Sequence, residues 1–322
     1  MTRTVFVFGS INADSSYRMS ILPAPGETVI ASAAHASPGG KGANQAIAAA
    51  AAGATTRMIG VVGDDPATAP LLEALTARGV DAGSITTRSG ATTGRAVVYV
   101  DDAGENSIVV LSGANDLADS SVASSGLSSL SSGDVLVLQN EVPAHANQAA
   151  VALARSAGAT VIWNAAPAPS SPADFVADID LLVVNENELV QISGILGIDA
   201  IADDTIADDT DAAGLSRLLA ATASALDTNA VCTLGSDGAI YVVDGQSGSV
   251  PAPKVHAVDT TAAGDTVVGY LAAHFDLPIS VRLELAGTAG ALAVTREGAS
   301  TSIPYLGDVE KMLAKLTERI PA

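Results

Sequence analysis

Four stretches of the chain combine residue types whose spacing can do chemistry. The first is Asp259-Thr260-Thr261-Ala262-Ala263-Gly264-Asp265-Thr266, followed by an apolar run over 267–273. Small residues at the mouth of a helix leave several N–H groups bare. Such a nest, with its helix dipole, holds developing phosphate charge. Asp265 falls in the first turn, where the ordinary reading is a helix cap worth about 1 kcal/mol. Two aspartates bracketing a small-residue nest are less ordinary and point to chemistry. The second stretch is Ser37-Pro38-Gly39-Gly40-Lys41-Gly42-Ala43-Asn44-Gln45, also at the start of a helix. Its glycines let backbone approach a ligand, its helix start offers unpaired N–H groups, and Lys41 and Asn44 add polar ones. The phosphate-loop spacing G-x-x-x-x-G-K-[ST] is absent. A tight strand-to-helix connection explains these glycines equally well.

The third stretch, Asn185-Glu186-Asn187-Glu188, directly follows an apolar strand over 181–184. Asn185 and Glu188 have the spacing of a capping box. The same pair suits hydrated Mg²⁺, which keeps several waters and takes few carboxylates. The fourth is Asn12-Ala13-Asp14, just past the first strand, with Glu141 at an equivalent strand end. Ligands of open α/β sheets bind beyond the carboxyl ends of strands, where an amide and a carboxylate can hold vicinal hydroxyls. Turn capping is the plain alternative.

The elements that must position these groups are short. Buried strands are expected at 5–8, 58–62, 135–138, 161–163, 181–184, 230–234 and 239–243, with helices at 41–52, 66–78, 144–156 and 172–177. This alternation indicates βαβ units on a parallel sheet. The segments 15–37 and 94–111 break the alternation. The second reads as a hairpin turning at Asp101-Asp102-Ala103-Gly104, and the two segments could form a small sheet standing off the main one. Residues 201–205 repeat at once as 206–210, and Asp211 follows. Without the glycine and terminal glutamate of a calcium loop, this tandem reads as a solvated surface loop.

Of the 322 residues, 35 are acidic and 15 basic, for a net charge of −20, and 48% are apolar. That is too apolar for a disordered chain. The charge argues against nucleic acid and against anionic membrane, since the basic residues are scattered singly. One cysteine, Cys232, excludes a disulfide framework and a cysteine zinc site, and reads as a buried strand thiol. His35, His145, His256 and His274 lack metal-ligand spacing and read as surface or satisfied groups. There is no nucleophile elbow of the G-x-S-x-G type and no dinucleotide fingerprint after the first strand. No stretch reaches the roughly 18 apolar residues of a membrane span, so a soluble intracellular protein is expected.

In order and spacing these segments resemble the ribokinase-like (PfkB) carbohydrate kinase family. The match runs collinearly from Val5 to about Ser302. It includes Gly9-Ser10-Ile11-Asn12-Ala13-Asp14, Pro25-Gly26-Glu27-Thr28, Gly63-Asp64-Asp65, Ser112-Gly113-Ala114-Asn115 and Asn164-Ala165-Ala166-Pro167-Ala168. Thr233-Leu234-Gly235-Ser236-Asp237-Gly238 and Ala293-Val294-Thr295-Arg296-Glu297-Gly298-Ala299 continue it, with the four stretches above. The resemblance implies an α/β fold: one domain over 1–322, a three-layer α/β/α sandwich with a mostly parallel central sheet. A small β-sheet lid would come from 15–37 and 94–111. It implies an ATP-dependent sugar kinase, with the 5-hydroxyl of D-ribose the expected acceptor. A related kinase of 2-deoxyribose or a nucleoside is the alternative, and a non-catalytic sugar-binding regulator the reading from another class.

By the same resemblance Asp265 is the catalytic base, and Ala262, Ala263 and Gly264 form the anion hole. Asn12, Asp14, Gly39, Gly40, Lys41, Asn44 and Glu141, with Asp265, bind the sugar. Asn185, Thr233, Leu234, Gly235, Ser236, Asp237 and Gly238, with Gly264, bind ATP. Asn185 and Glu188 organise Mg²⁺. Asp259, Thr261, Ala293, Arg296, Gly298 and Ser302 form a K⁺ loop. A cytoplasmic homodimer joined through its lids is implied. Two positions depart from the family. Val267-Val268 stand where Phe-Asn or Phe-Val is usual, and Gly287 stands where an Asn often lies near adenine.

Overall fold

A computed structural model describes residues 3–103, 105–198 and 212–318. The chain opens with β1 (Thr4–Phe8), β2 (Asn12–Arg18) and β3 (Ala33–Gly39), then α1 (Lys41–Ala51), β4 (Thr55–Gly63), α2 (Thr68–Ala77) and β5 (Val80–Arg88). A hairpin follows, β6 (Arg95–Val100) and β7 (Asn106–Leu111). Next come α3 (Ser120–Gly126), β8 (Val135–Gln139), α4 (Ala144–Ala157), β9 (Thr160–Asn164), β10 (Leu181–Asn185), α5 (Glu186–Ile195) and α6 (Ala212–Ala225). The last elements are β11 (Asn229–Thr233), β12 (Ala239–Val243), β13 (Gln246–Val250), α7 (Ala263–Ala273), α8 (Ile279–Ala293) and α9 (Leu306–Glu318).

The main sheet has the order β13-β12-β11-β10-β9-β8-β1-β4-β5. It is parallel from β11 to β5, and the β11–β12 and β12–β13 pairs are antiparallel. A central parallel strand is covered on both faces, so it reads as an unbroken apolar run. In β1 the alternation still sorts the side chains. Phe6 and Phe8 enter one core with residues of α3 and α4, and Val5 and Val7 enter the other with residues of α1, α7 and α8. Each fully buried side chain of this kind contributes about 2 kcal/mol. The result is the expected three-layer sandwich.

The second sheet, β3-β2-β6-β7, stands apart from the first. It takes in the segments expected to form a lid, but β2 begins at Asn12 and β3 ends at Gly39. Asn12 pairs with Gly39 and Asp14 with Ser37 across this ladder. Asn12, Asp14 and Gly39 are therefore part of the lid itself.

Two expectations need correction, and some strands went unforeseen. The helix expected at 172–177 is only a short 3₁₀ turn, Pro172–Asp174. Phe175 is already extended there, and its ring packs edge-on against Trp163 at 5.9 Å. Tertiary packing of the aromatic overrides the helix start signalled by Pro172. Strand β5 was not anticipated, because it is an edge strand of mixed polarity. His274 is neither exposed nor satisfied. It is half-buried, its Nε2 has no partner among the described residues, and burial holds its pKa below the usual value. Cys232 is fully buried on β11 as expected, and burial pushes its thiol up to about 12. The duplicated 201–211 segment lies outside the described residues. Among the described residues, no helix is long and apolar enough to cross a membrane.

Candidate active site

Two helix N-termini and the carboxyl ends of the central strands meet at one place. Helix α7 begins at Ala262, which takes a left-handed conformation with φ 59° and ψ 10°. For a residue with a Cβ this costs about 1–2 kcal/mol. The turn it makes aims the following amides outward. The first i→i−4 bond of the helix is Thr266 N–H to Ala262 O at 2.8 Å. The amides of Gly264 and Asp265 precede that bond. Ala263 N–H instead turns back on Thr260 O at 3.3 Å, so it is partly engaged within the turn. No side chain caps this end, which leaves it open to an anion.

Asp265 is buried at 8% exposure, yet neutral donors hold it. Asn44 Nδ2 donates to its Oδ2 at 3.0 Å, and Gln45 Nε2 donates to its Oδ1 at 2.9 Å. Both donors sit at the start of α1. There Gly40 has φ 84°, and a Cβ on Gly42 would lie 2.7 Å from the backbone of Ser10. Only glycine allows the helix to start this close to the β1–β2 connection. Glu141 closes the same end, since its Oε2 accepts from Lys41 N–H at 2.9 Å and from Ser10 Oγ. A carboxylate at a helix N-terminus is electrostatically favoured.

The lid brings Asn12 and Asp14 to this point. Asn12 Oδ1 accepts from Asn115 Nδ2 at 2.8 Å, and Asn115 Oδ1 in turn accepts from Ile11 N–H at 2.9 Å. Asp14 Oδ1 accepts from Ala96 N–H at 3.1 Å. Burial raises the Asp14 carboxyl to about 7 against the pull of that bond, with Glu141 and Asp265 adding to the rise. Lys41 is raised as well, chiefly by the Asp265 carboxylate, with burial opposing it. Lys41 is thus a firmly charged ammonium among carboxylates.

A cavity of about 440 Å³ opens beside Asp265. Asn185, Glu188, Thr233, Gly235, Ala262, Ala263, Gly264, Asp265 and Lys41 all line it. Leu234, Ser236, Asp237 and Gly238 form the adjoining turn after β11, where Lys254 Nζ donates to Ser236 O at 3.0 Å and pairs with Asp237 at 3.1 Å. Of the candidate sugar residues only Lys41 and Asp265 reach this cavity. Asn12, Asp14, Gly39, Gly40, Asn44 and Glu141 gather on the lid side of the same carboxylate.

Asn185 and Glu188 form the capping box that their spacing permits. Glu188 N–H donates to Asn185 Oδ1 at 2.8 Å, and Asn185 N–H to Glu188 Oε2 at 2.9 Å. The cap uses only one carboxylate oxygen, and burial raises the Glu188 pKa. A half-buried carboxylate with a spare oxygen beside a cavity fits an ion that keeps its waters.

The candidate K⁺ residues lie on two joined loops. Gly298 N–H donates to Asp259 Oδ2 at 2.9 Å, while Thr261 N–H and Oγ1 donate to Asp259 Oδ1 at 2.9 and 2.6 Å. Both Asp259 oxygens are therefore engaged, and these donors lower its pKa despite burial. An ion here would meet backbone carbonyls rather than that carboxylate. Ala293 O accepts from Arg296 N–H at 3.1 Å, Arg296 pairs with Asp308 at 3.6 Å, and Ser302 Oγ donates to Ala299 O at 2.8 Å.

The sequence profile of the pfkB family carbohydrate kinases matches residues 2–306. The chain belongs to the pfkB carbohydrate kinase family. This pfkB kinase is 36% identical over 321 residues to a ribokinase of Schizosaccharomyces pombe, covering 95% of this chain and 96% of that one. It is 32% identical to a ribokinase of Staphylococcus aureus, covering 97% and 100%. A crystal structure of a ribokinase from Thermotoga maritima superposes with a TM-score of 0.83 at 29% identity, covering 97% of this chain and 99% of that one. An Arabidopsis thaliana ribokinase complexed with ribose and ATP superposes at 0.82 with 28% identity and the same coverage.

Several side chains at the site went unassigned in the sequence. Gln139 and Asn164 end strands β8 and β9, and Asn115 holds Asn12. A carboxamide closing an otherwise apolar strand run is the signal that marks the first two.

Proposed function

We propose that this chain transfers the γ-phosphoryl group of ATP to the 5-hydroxyl of D-ribose, giving ribose 5-phosphate and ADP. The observation that carries the reading is Asp265. It is a buried carboxylate between the nest-lined cavity, which Lys41 also lines, and a lid bearing Asn12 and Asp14. Likeness over nearly the whole chain to ribokinases, one of them complexed with ribose and ATP, supports it.

Phosphoryl transfer depends on positioning and on electrostatic stabilisation of the moving group. Asn12, Asp14, Gly39, Gly40, Lys41, Asn44 and Glu141 would fix the sugar hydroxyls, and Asp265 would take the proton of the 5-hydroxyl. The amides of Ala262, Ala263 and Gly264 would face the transferring group. Asn185 and the 233–238 turn would hold the nucleotide. Glu188, with Asn185, would hold a hydrated Mg²⁺, which supplies charge neutralisation for the phosphates. The carbonyls of the 259–261 and 293–302 loops would hold K⁺ and so brace the start of α7. Exposed Val109, Val110 and Leu111 on β7, with Ile21 and Ile30 in the β2–β3 connection, suit pairing of two lids in a homodimer of the cytoplasm.

A coupled ADP-release assay across ribose, 2-deoxyribose, fructose and nucleosides tests the reading. Turnover with ribose at millimolar levels is expected. Clear turnover with another of these and none with ribose refutes the assignment.

A further inference from the structure

Three carboxamides form a directed chain behind Asp265, and no step above uses them. Gln45 and Gln139 are fully buried, and Asn164 nearly so. The Val183 carbonyl can only accept, so Asn164 Nδ2 donates to it at 3.0 Å and turns its Oδ1 toward Gln45. Gln45 Nε2 donates to that oxygen at 2.9 Å and to Asp265 Oδ1 at 2.9 Å. Gln45 Oε1 then faces away from Asp265 and accepts from Gln139 Nε2 at 2.7 Å. Acceptor-only groups at Val183 and Asp265 thus set the sense of the Asn164 and Gln45 amides. Gln139 packs its Oε1 and Cδ into the space that the missing Cβ of Gly9 leaves, and that Oε1 has no hydrogen-bond partner among the described residues, so its Nε2 toward Gln45 is the end that is held. The backbone of Gln139 is itself anchored, since its carbonyl accepts from Asn147 Nδ2 at 2.8 Å.

We propose that Gln45 is a positioning residue, held in one amide orientation by Gln139 and Asn164, that fixes the rotation of the Asp265 carboxylate for proton transfer. The inference rests on the kinase reading above. Gln45 occupies Oδ1. Oδ2 takes only the Asn44 amide, and Asn44 Oδ1 has no partner among the described residues. Each oxygen thus holds one amide, and Oδ2, the one beside the candidate sugar residue Asn44, is assigned to the sugar side. It receives the hydroxyl proton as the sugar oxygen bonds to the γ-phosphorus and the bond to the leaving ADP oxygen breaks. A reversed Gln45 amide would set an oxygen against Asp265 and turn the carboxylate away. Misplacing a reacting group by about an ångström is enough to cost rate without costing binding.

The test uses the full chain with Gln45→Met, Gln139→Met and the double variant, reading kcat, the KM values for ribose and ATP, and thermal unfolding. Gln45→Met removes the donor at similar volume. Gln139→Met removes the donor to Gln45 Oε1 at similar volume and adds no charge, so the amide is no longer held in one sense, and position 139 does not touch substrate. Gln45→Met is expected to lower kcat by about 30-fold and Gln139→Met by about tenfold, with ribose KM within about threefold of wild type. The double variant is expected to match Gln45→Met alone, because no amide remains to orient. Single variants within about twofold of the wild-type kcat overturn the proposal, and so do losses that multiply in the double variant. Where Gln45→Met yields no folded protein, Gln139→Met decides alone: lower kcat at unchanged KM supports the proposal, and unchanged kcat overturns it. A wild type active on another sugar but not ribose refutes the ribose assignment only. The same comparison made with that sugar then supports or overturns the role of Gln45.

Discussion

Lowering the pH from about 8 to about 6 is expected to reduce kcat/KM for ribose about tenfold through Asp14 alone. Burial, with smaller contributions from Glu141 and Asp265, raises this carboxyl to about 7, while the Ala96 amide pulls it down. The sign follows from the two protonation states. The raised value means that folding favours the neutral acid, so this group costs the free protein stability, in full above about pH 7 and progressively less as pH falls from there to the ordinary carboxylate value of 3.8. Sugar binding runs the other way. An ionised carboxylate accepts hydrogen bonds from two hydroxyls, and the protonated acid loses part of that capacity. With a midpoint near 7, the ionised fraction falls from about nine-tenths to about one-tenth across this interval, which sets the tenfold figure. The measurement is kcat/KM against pH for wild type and Asp14→Asn at saturating ATP. The variant is expected to be weaker at pH 8 and to lack the inflection near 7. A wild-type profile flat across the interval refutes the assignment, and so does the same inflection persisting in Asp14→Asn.

Asp265→Ala is expected to lower kcat at least a thousandfold while leaving ribose affinity by calorimetry within about tenfold, since the base acts in the transition state. Loss of sugar binding together with turnover would contradict its role as base. Replacing K⁺ by a large organic cation is expected to lower kcat several-fold, because the 259–261 and 293–302 loops support the start of α7; equal rates in both salts would remove the ion from the account.

The sandwich was legible because its parallel strands are buried on both faces and so read as short apolar runs such as residues 5–8 and 181–184. The lid strands were harder to see. Asn12–Arg18 is largely polar, lacks a clean alternation, and is held as a strand by pairing with β3 and β6. Period-based reasoning sees side-chain burial, and this strand is held by its backbone. The same limit applied at the site. Asp265 and the small-residue nest stood out because their types and spacing are unusual. Gln45, Gln139 and Asn164 come together from three separated segments, and only the tertiary structure brings their amides within 3 Å. Asn185 and Glu188 show the converse. Their spacing signalled a capping box, and the box is formed, yet both residues also line the cavity.

The charge of the chain bears directly on how such a site can take an anionic ligand. A protein of net charge −20 repels ATP at a distance. At the cavity wall the ionisable groups are Lys41 against Glu186, Glu188 and Asp265. Lys41 is raised by the very carboxylates that surround it, so its ammonium is already compensated before a phosphate arrives. Among the described residues, the remaining sources of positive potential at this wall are backbone: the uncapped start of α7 with the turn held by left-handed Ala262, and the starts of α1 and α5. These are fixed dipoles, and a helix end carries only about half a unit charge. A triphosphate therefore requires compensation that this wall does not contain, and cations must enter with it. That requirement places the Glu188 carboxylate, which would repel bare phosphate, in a useful position. With the ion held there as proposed, it would disfavour ATP alone and favour ATP that brings a hydrated divalent ion.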